Sequence, residues 1–540
     1  MKKLVGFCMA TVMLGSSLLV GCSSDGKDTK ETSEIKQGEE ISNFNATGDK
    51  IVNDKVTLNI AYLKYPDGPL AFEGLQFFDN YEEKTNVHVE WDMYQKESWL
   101  EKKSLLFASN DLPDAFYGNW ILETNDTTKY GSQGYLIPLE ELNDKYGVNF
   151  TQAINRNEDF KKGIYAPDGH IYGLPSLDET TGGVNGGLFM NKVWLDKVGK
   201  DIPKTTDEFY EVLKAFKEAG DLNGNGKNDE MSFSFRYNSL IQGLYQMFGA
   251  WGLAFERDGI MLKDGEVSYA PISDNYREGL EYFNKLYSEG LLDPEGFTQD
   301  GNSYRAKFAN EERIYGAGLA WSQNWLFGTN NEEETGYKTV LPLKGPNGDQ
   351  SWLKRRSGIR GVGSFTITKD CEIPEVAFRW VDGMYEENTA REANYGMVGQ
   401  AIEKNEDGTY KVLSAENMTN TQLAQLEAPT KSSITVKFFD WDNLMEKSPT
   451  ALERLNIRKM YEPYSNVTLF PKALQTEDEM EQLSILQTDI VQYCDKMAAK
   501  FILDGVTDES WNAYVKKMND LGVEDFVNIH KGILERYNSN

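Results

Sequence analysis

The chain has 540 residues, 40% hydrophobic and 12% aromatic, enough for large buried cores and, by length alone, for about three domains or two large lobes. Its 85 acidic against 56 basic residues leave a formal charge of −29, which argues against a nucleic-acid partner, because phosphate backbones demand surfaces rich in Lys and Arg. The three histidines, His88, His170 and His530, sit in scattered settings that argue against a His-based zinc site or a His triad, and no repeat or GxGxxG loop stands out.

Lys2 and Lys3 precede an apolar run over residues 4–18, followed by Leu19-Val20-Gly21-Cys22. That is the layout of a secretory signal, and the small residue before a cysteine has the form of a lipobox. Residues 1–21 are therefore expected to be removed and Cys22 to be lipidated, with palmitate among its acyl chains. No later apolar run approaches the roughly 18–20 residues that a membrane-spanning helix needs, so the mature chain is expected at the extracellular face of a membrane, held through its N-terminal lipid only. Residues 22–50 are rich in Ser, Lys, Glu, Gly, Asp and Asn; such a segment buries too little apolar surface to offset its ordering entropy and reads as a flexible stalk. With Cys8 in the signal and Cys22 lipidated, only Cys371 and Cys494 remain, and their separation in sequence does not establish a bridge.

The body then alternates strands and helices. Val56, Leu58, Ile60 and Tyr62 alternate with polar residues as in a half-buried strand, Phe72, Leu75, Phe78 and Tyr81 recur at helical spacing, and Val87, Val89 and Trp91 alternate again. A helix over 99–108 follows. This order predicts an α/β body with a parallel sheet. Farther on, Thr205 and Glu208 form a capping-box pattern ahead of the apolar face Phe209, Val212, Leu213 and Phe216. Asp274 is placed to cap a helix carrying Leu280, Phe283, Leu286 and Tyr287, with Gly290 as its stop.

Five segments carry a family resemblance: Asp111-Leu112-Pro113-Asp114, Asp168-Gly169-His170-Ile171-Tyr172-Gly173-Leu174-Pro175, Met190-Asn191-Lys192-Val193-Trp194-Leu195-Asp196-Lys197-Val198-Gly199, Pro203-Lys204-Thr205-Thr206-Asp207-Glu208-Phe209 and Ala377-Phe378-Arg379-Trp380-Val381-Asp382. In order and spacing they resemble the family 1 extracellular solute-binding lipoproteins of ABC sugar importers, and within them the branch that includes alginate-oligosaccharide-binding proteins of the Gram-positive type. The resemblance spans about 56–382 and is loose beyond 395. It implies a two-lobe periplasmic-binding-protein-like fold with an interlobe ligand cleft and a hinge. Residues 51–178 and 357–405 are assigned to the first lobe, 179–356 and 406–540 to the second. Crossings are placed near 174–183, where Gly182, Gly183, Gly186 and Gly187 supply backbone freedom, and near 355–363.

One loop has the pattern of a calcium site. Asp221, Asn223, Asn225 and Asp229 put side-chain oxygens at alternate positions, Gly226 is the turn glycine, and Lys227 offers its carbonyl, the arrangement by which an EF-hand-type loop surrounds a hard cation. Position 12 is Ser232 rather than Glu, so Glu230 is expected to supply the bidentate carboxylate, a shortened loop that the resemblance also implies. Because Met231, Phe233 and Phe235 alternate like a strand, a lone structural Ca2+ loop is expected, not an EF-hand pair; the alternative is an Asn/Gly-rich surface turn without metal.

Eleven tryptophans and 28 tyrosines suit sugar rings, which present an apolar C–H face and a polar rim. The resemblance directs attention to Trp251 after Phe248-Gly249-Ala250, and to Trp321, Gln323, Asn324 and Trp325. Trp120 stands at the C-terminal end of an expected strand, where open α/β sheets bind ligands. Arg356, in the basic cluster Lys354-Arg355-Arg356 with Arg360, is a further candidate for acidic ligand groups; a salt-bridged surface strip is the alternative. The leading reading is a non-catalytic, monomeric capture subunit that binds a carbohydrate, in the first instance an oligosaccharide, and delivers it to ABC permease subunits. The competing readings are a secreted polysaccharide-degrading enzyme with a carboxylate pair, for which no acid pair has a recognisable setting, and a peptide-binding surface lipoprotein.

Overall fold

The alternating residues from Val56 onward form a strand in the computed structural model, which describes residues 43–540 apart from 66–70, 182, 185, 356–357, 414–427, 430–431, 466 and 540. Cys22, the signal and most of the expected stalk lie outside the described residues. In chain order the strands are β1 (Val56–Lys64), β2 (Val87–Gln95), β3 (Ala115–Tyr117), β4 (Leu174–Asp178), β5 (Gly183–Val184), β6 (Gly187–Asn191), β7 (Met231–Ser234) and β8 (Ile260–Lys263). They continue with β9 (Glu266–Tyr269), β10 (Tyr315–Ala320), β11 (Tyr337–Val340), β12 (Lys354–Arg355), β13 (Gly358–Ile367), β14 (Ile402–Lys404), β15 (Tyr410–Val412) and β16 (Val436–Lys437).

Two sheets carry the body. The first has six strands in the order β16-β4-β13-β3-β1-β2, the second four in the order β11-β6-β10-β7. β1 runs parallel to β2 and β3, and β16 parallel to β4, but β13 runs antiparallel to both β3 and β4. The expected all-parallel sheet is thus mixed. The reason is the route of the chain: β13 returns from the second sheet and enters at the edge where β4 leaves, so Gly358 pairs with Asp178.

Between the sheets the chain passes through a two-stranded ribbon, β5 with β12, in which Lys354 pairs with Val184 and Arg355 with Gly183. Both segments read as crossings in the sequence meet in it. A further passage follows Phe438, which packs in the first core, and leads to Ile457 and Tyr461 in the second. Residues 434–438, assigned from sequence to the second lobe, therefore belong to the first core: β16 pairs with β4 as an edge strand and buries Val436 beneath it.

Local rules explain the helices. The Thr206–Ala219 helix begins where the Thr205 side chain accepts from the Glu208 N–H (3.1 Å), while the Glu208 carboxylate takes the N–H of Lys204 (2.7 Å). It buries Phe209, Val212, Leu213 and Phe216, each large apolar side chain contributing about 1.5–3 kcal/mol. The Asp274–Ser288 helix is capped by Ser273, whose side chain accepts from Tyr276 N, and not by Asp274, which opens its first turn; the hydroxyl already satisfies the donor an Asp274 cap would serve. Gly290, at φ +64°, follows its end as expected. The C-terminal helices Glu477–Asp504, Asp508–Asp520 and Val523–Ser539 join the second core through Ile490, Phe501, Tyr514, Phe526 and Ile533. Cys371 packs against the first core and Cys494 within the second, and both are free thiols. Among the described residues no helix is long and apolar enough to cross a membrane.

Candidate binding site and metal loop

The C-terminal ends of β1, β3, β4 and β16 and the start of β13 share one edge of the first sheet. There Trp120 sits in a loop that is held tightly. Asn119, 2% exposed, donates to Ser433 O (2.7 Å) and Thr435 Oγ1 (2.9 Å) and accepts from Ser176 Oγ (2.6 Å). Gly118 (φ +111°) leaves no room for a side chain, since a Cβ would lie 2.1 Å from Ser432 O. Trp120 itself is at φ +58°, a conformation that costs a bulky L-residue about 1–3 kcal/mol and persists only where surroundings impose it.

Around the ring of Trp120 stand Tyr65, at 5.9 Å between centroids, and the Arg360 guanidinium at 5.2 Å. Arg360 also faces Asp178 Oδ2 at 3.3 Å, and Asp178 Oδ1 accepts from Thr180 N and Oγ1. Lys96 lies over the Tyr65 ring at 4.5 Å. Burial, reinforced by the charge of Glu123, pushes the Tyr65 phenol up to about 12, so it remains a neutral donor, bonded to Asn119 O at 3.2 Å.

The equivalent edge of the second sheet is formed by the ends of β7 and β10 and the start of β6. It holds a depression of about 470 Å³ lined by Arg236, Asn238, Gln242, Arg257, Trp321 and Trp325, with the 239–241 turn as its rim. Trp321 and Trp325 are half-buried and the Arg454 guanidinium stands 5.6 Å from the Trp321 ring. Arg257 is held by Asp495 at 2.9 Å. Apolar faces and fixed polar groups thus converge in one concavity, the combination that binds polyhydroxylated rings.

The other expected ligand residues separate. Trp251 is 2% exposed and packs among Phe248, Tyr282 and Phe283; it belongs to the second core and offers no face to a ligand. Gln323 is equally buried, its amide oxygen accepting from Thr335 Oγ1 (2.6 Å), so its side chain is structural. Asn324 is half-buried in the first turn of the short Gln323–Phe327 helix beside Trp325. Arg356 lies outside the described residues, whereas Arg360 of the same cluster reaches Trp120. Arg236, Asn238, Gln242 and Arg257 went unrecognised in the sequence. A signal was there for Arg236, which directly follows the alternating Met231, Phe233 and Phe235 and so stands at a strand's C-terminal end.

In the 221–230 loop, Asp221 accepts from Gly224 N (2.7 Å) and Gly226 N (2.9 Å), Asn223 Oδ1 from Asn225 N (2.9 Å), and Asn225 Oδ1 from Lys227 N (2.8 Å). Glu230 Oε1 accepts from Leu222 N (2.7 Å) and Asn223 N (3.0 Å), but its Oε2 is buried without a hydrogen-bond partner. Asn225 also donates to Asp229 and to Glu312 Oε2, each at 3.2 Å. No cluster of three or more His, Cys, Asp and Glu side chains is preformed for a metal among the described residues. The donor set nevertheless fits a hard cation: carboxylate, amide and carbonyl oxygens on one turn, plus a buried carboxylate oxygen with no partner of its own.

Residues 73–390 match the family described as bacterial extracellular solute-binding protein. The fructooligosaccharide ABC transporter substrate-binding protein FusA of Streptococcus pneumoniae is 30% identical over 558 aligned positions, covering 100% of this chain and 99% of its own. A solved structure of the FusA EF-hand mutant in complex with fructo-nystose superposes with a TM-score of 0.72 at 28% identity, covering 90% of this chain and 100% of that one. The alginate-binding protein AlgQ2, solved without calcium ion, shares the fold with a TM-score of 0.64 at 19% identity over 90% of this chain and 99% of its own. The chain belongs to the bacterial extracellular solute-binding proteins, and its two sheets with their separate cores form a two-lobe fold like that of its solved neighbours.

Proposed function

We propose that the protein is the substrate-binding subunit of an ABC importer and captures an oligosaccharide between its lobes without cleaving it. The observation that carries this reading is the depression walled by Trp321 and Trp325 over Arg236, Asn238 and Gln242 at the end of the second sheet. The Trp120 rim supports it, because both rims flank the ribbon between the sheets. Arg360, just after β12, touches Trp120, and Gly186, just after β5, packs against the carbonyl of Ala320, the residue before Trp321. Over the described residues, the lobes are then 51–178 with 358–405 and 434–438, and 187–355 with 449–539 apart from Leu474, which shares a core with Ala61, Phe116 and Val362 of the first; the hinge is the β5–β12 ribbon. Likeness to FusA makes a fructooligosaccharide the first candidate ligand. Calorimetry with kestose, paired with analysis of the recovered sugar, tests the reading: saturable binding with intact sugar is expected. Cleaved sugar, or no binding of kestose or of any oligosaccharide in a plant, algal and host panel, would refute it.

The 221–230 loop is proposed to hold one structural Ca2+ through Asp221, Asn223, Asn225, Asp229 and Glu230 and the Lys227 carbonyl. Bound to the folded state only, the ion would add about 2.7 kcal/mol at a free concentration 100 times its Kd. Chelation should lower Tm, and Asp221→Ala with Asp229→Ala should remove the difference; an unchanged wild-type Tm with no metal found on analysis would reduce the loop to a turn. Cys22 is proposed as the lipid anchor of a monomer at the extracellular face of the cell membrane, docking on permease subunits. Cys22→Ala should shift it from the membrane fraction or leave it unprocessed.

A further inference from the structure

The half-buried helix Gln323–Phe327 that carries Trp325, and follows Trp321, is too short to hold itself. Its N-terminal donors are met from two places. Ser322 Oγ takes Trp325 N (3.1 Å), while the N–H groups of Gln323 and Asn324 donate to Glu453 Oε1 (2.5 Å) and Oε2 (3.2 Å). Glu453 belongs to a distant element, the Pro449–Tyr461 helix. Both oxygens of one carboxylate are thus spent on two consecutive backbone donors, a charge-assisted clamp. Burial raises the Glu453 carboxyl pKa against the opposing pull of those two N–H groups.

The same helix touches the other parts that must stay in register. Arg454 stands over the Trp321 ring at 5.6 Å and Arg458 over the ring of Phe439 at 4.1 Å, two residues after β16 of the first sheet. Ile457 lies beside Gly187, at the start of β6. Tyr461 Oη accepts from Leu188 N (3.0 Å) and donates to Val340 O, tying the helix to the second sheet. Asn330 Nδ2 closes the other end by donating to Pro449 O (2.9 Å).

We infer that Glu453 is a positioning residue of the ligand site: through its carboxylate the Pro449–Tyr461 helix holds the Trp321–Trp325 wall at a set place relative to the passage between the lobes. This rests on the proposed role of that wall in binding. Glu453 touches no ligand in this scheme; it acts through the two tryptophans.

The test is a double-mutant cycle on the full chain with kestose as probe. Glu453→Gln keeps one acceptor but turns an NH2 toward the second N–H, and is expected to weaken kestose affinity about tenfold. Glu453→Asp, charged but one methylene shorter, should fall between it and the wild type. In a background carrying both Trp321→Ala and Trp325→Ala, Glu453→Gln should cost little more, because the wall it positions is then gone. Glu208→Gln, which disturbs a carboxylate cap on a helix none of whose residues lines the depression, controls for stability and should lower Tm without changing affinity. Unchanged kestose affinity in Glu453→Gln, or full additivity with the paired Trp321→Ala and Trp325→Ala change, would overturn the positioning role while leaving the proposed function standing. A wild type that binds no oligosaccharide would defeat the proposed function and this inference with it.

Discussion

The two sheet edges reach the same end by opposite means. At the first, Trp120 is immobilised: a buried amide with three partners, a glycine that admits no Cβ and a left-handed backbone leave it one place to be. At the second, Trp321 and Trp325 wall an open depression and depend on a five-residue helix capped from elsewhere in the chain. The contrast teaches that a rim can be set by local strain and buried hydrogen bonds or by a remote brace, and that mutations in the two should fail differently. The first should lose stability together with binding, the second binding alone.

The largest effect expected comes from neither rim. Trp251→Ala removes a core side chain and should cost about 3–5 kcal/mol in chemical denaturation. Any residual folded protein should keep its ligand affinity; weakened binding at unchanged stability would return Trp251 to the site. Next comes Asn119→Ala. It strands the Ser433 carbonyl and the Thr435 hydroxyl, while Ser176 Oγ keeps the Thr435 N–H; at the lower end of the about 1–3 kcal/mol per buried group left unsatisfied it should lower stability by about 2–3 kcal/mol and binding as well. Equal stability with the wild type would mean that the Trp120 loop does not depend on this network.

Trp321→Ala should instead weaken kestose binding by about 1–3 kcal/mol with little change in Tm. A large Tm loss without an affinity change would make it a second Trp251. The smallest effect expected is a pH slope far from both rims. Burial raises the Asp382 carboxyl pKa, opposed by the N–H groups of Phe150 and Asn149. A folded-state value above the unfolded one means the folded state binds more protons between the two. This group's contribution to stability is therefore greatest below the ordinary carboxylate range and declines as pH rises through the raised value. Wild type should lose stability relative to Asp382→Asn over that interval; parallel pH profiles would contradict it.

Several features were legible in the residues. The 56–64 strand, the Thr206–Ala219 helix and its buried face follow from periodicity and capping, which are local rules that short stretches of chain obey. The sequence placed two glycine-rich crossings near 174–183 and 355–363 without pairing them, and Gly183 and Arg355 pair in the β5–β12 ribbon. Tryptophan roles were legible only as a set, because composition shows that aromatic rings are abundant but not which are enclosed. Trp251 and Trp321 each follow an alanine, yet one packs among Phe248 and Phe283 and the other stands at the end of β10. Gln323 misled for a similar reason: an amide beside two tryptophans is as useful to Thr335 as to a sugar.

The local elements, the acidic and aromatic character, the oxygen-bearing loop at 221–230 and, through spaced motifs, the family are all written along the chain. These depend on neighbours within a few residues or on a pattern preserved along the chain. Long-range packing sets the antiparallel run of β13, the place of residues 434–438 in the first sheet, the separation of Cys371 and Cys494 into different cores, and the brace from Glu453 to the turn at Gln323. Each of those is a contact between residues far apart in sequence. Its existence is set by how two sheets and the helices between them pack, and no local propensity encodes it.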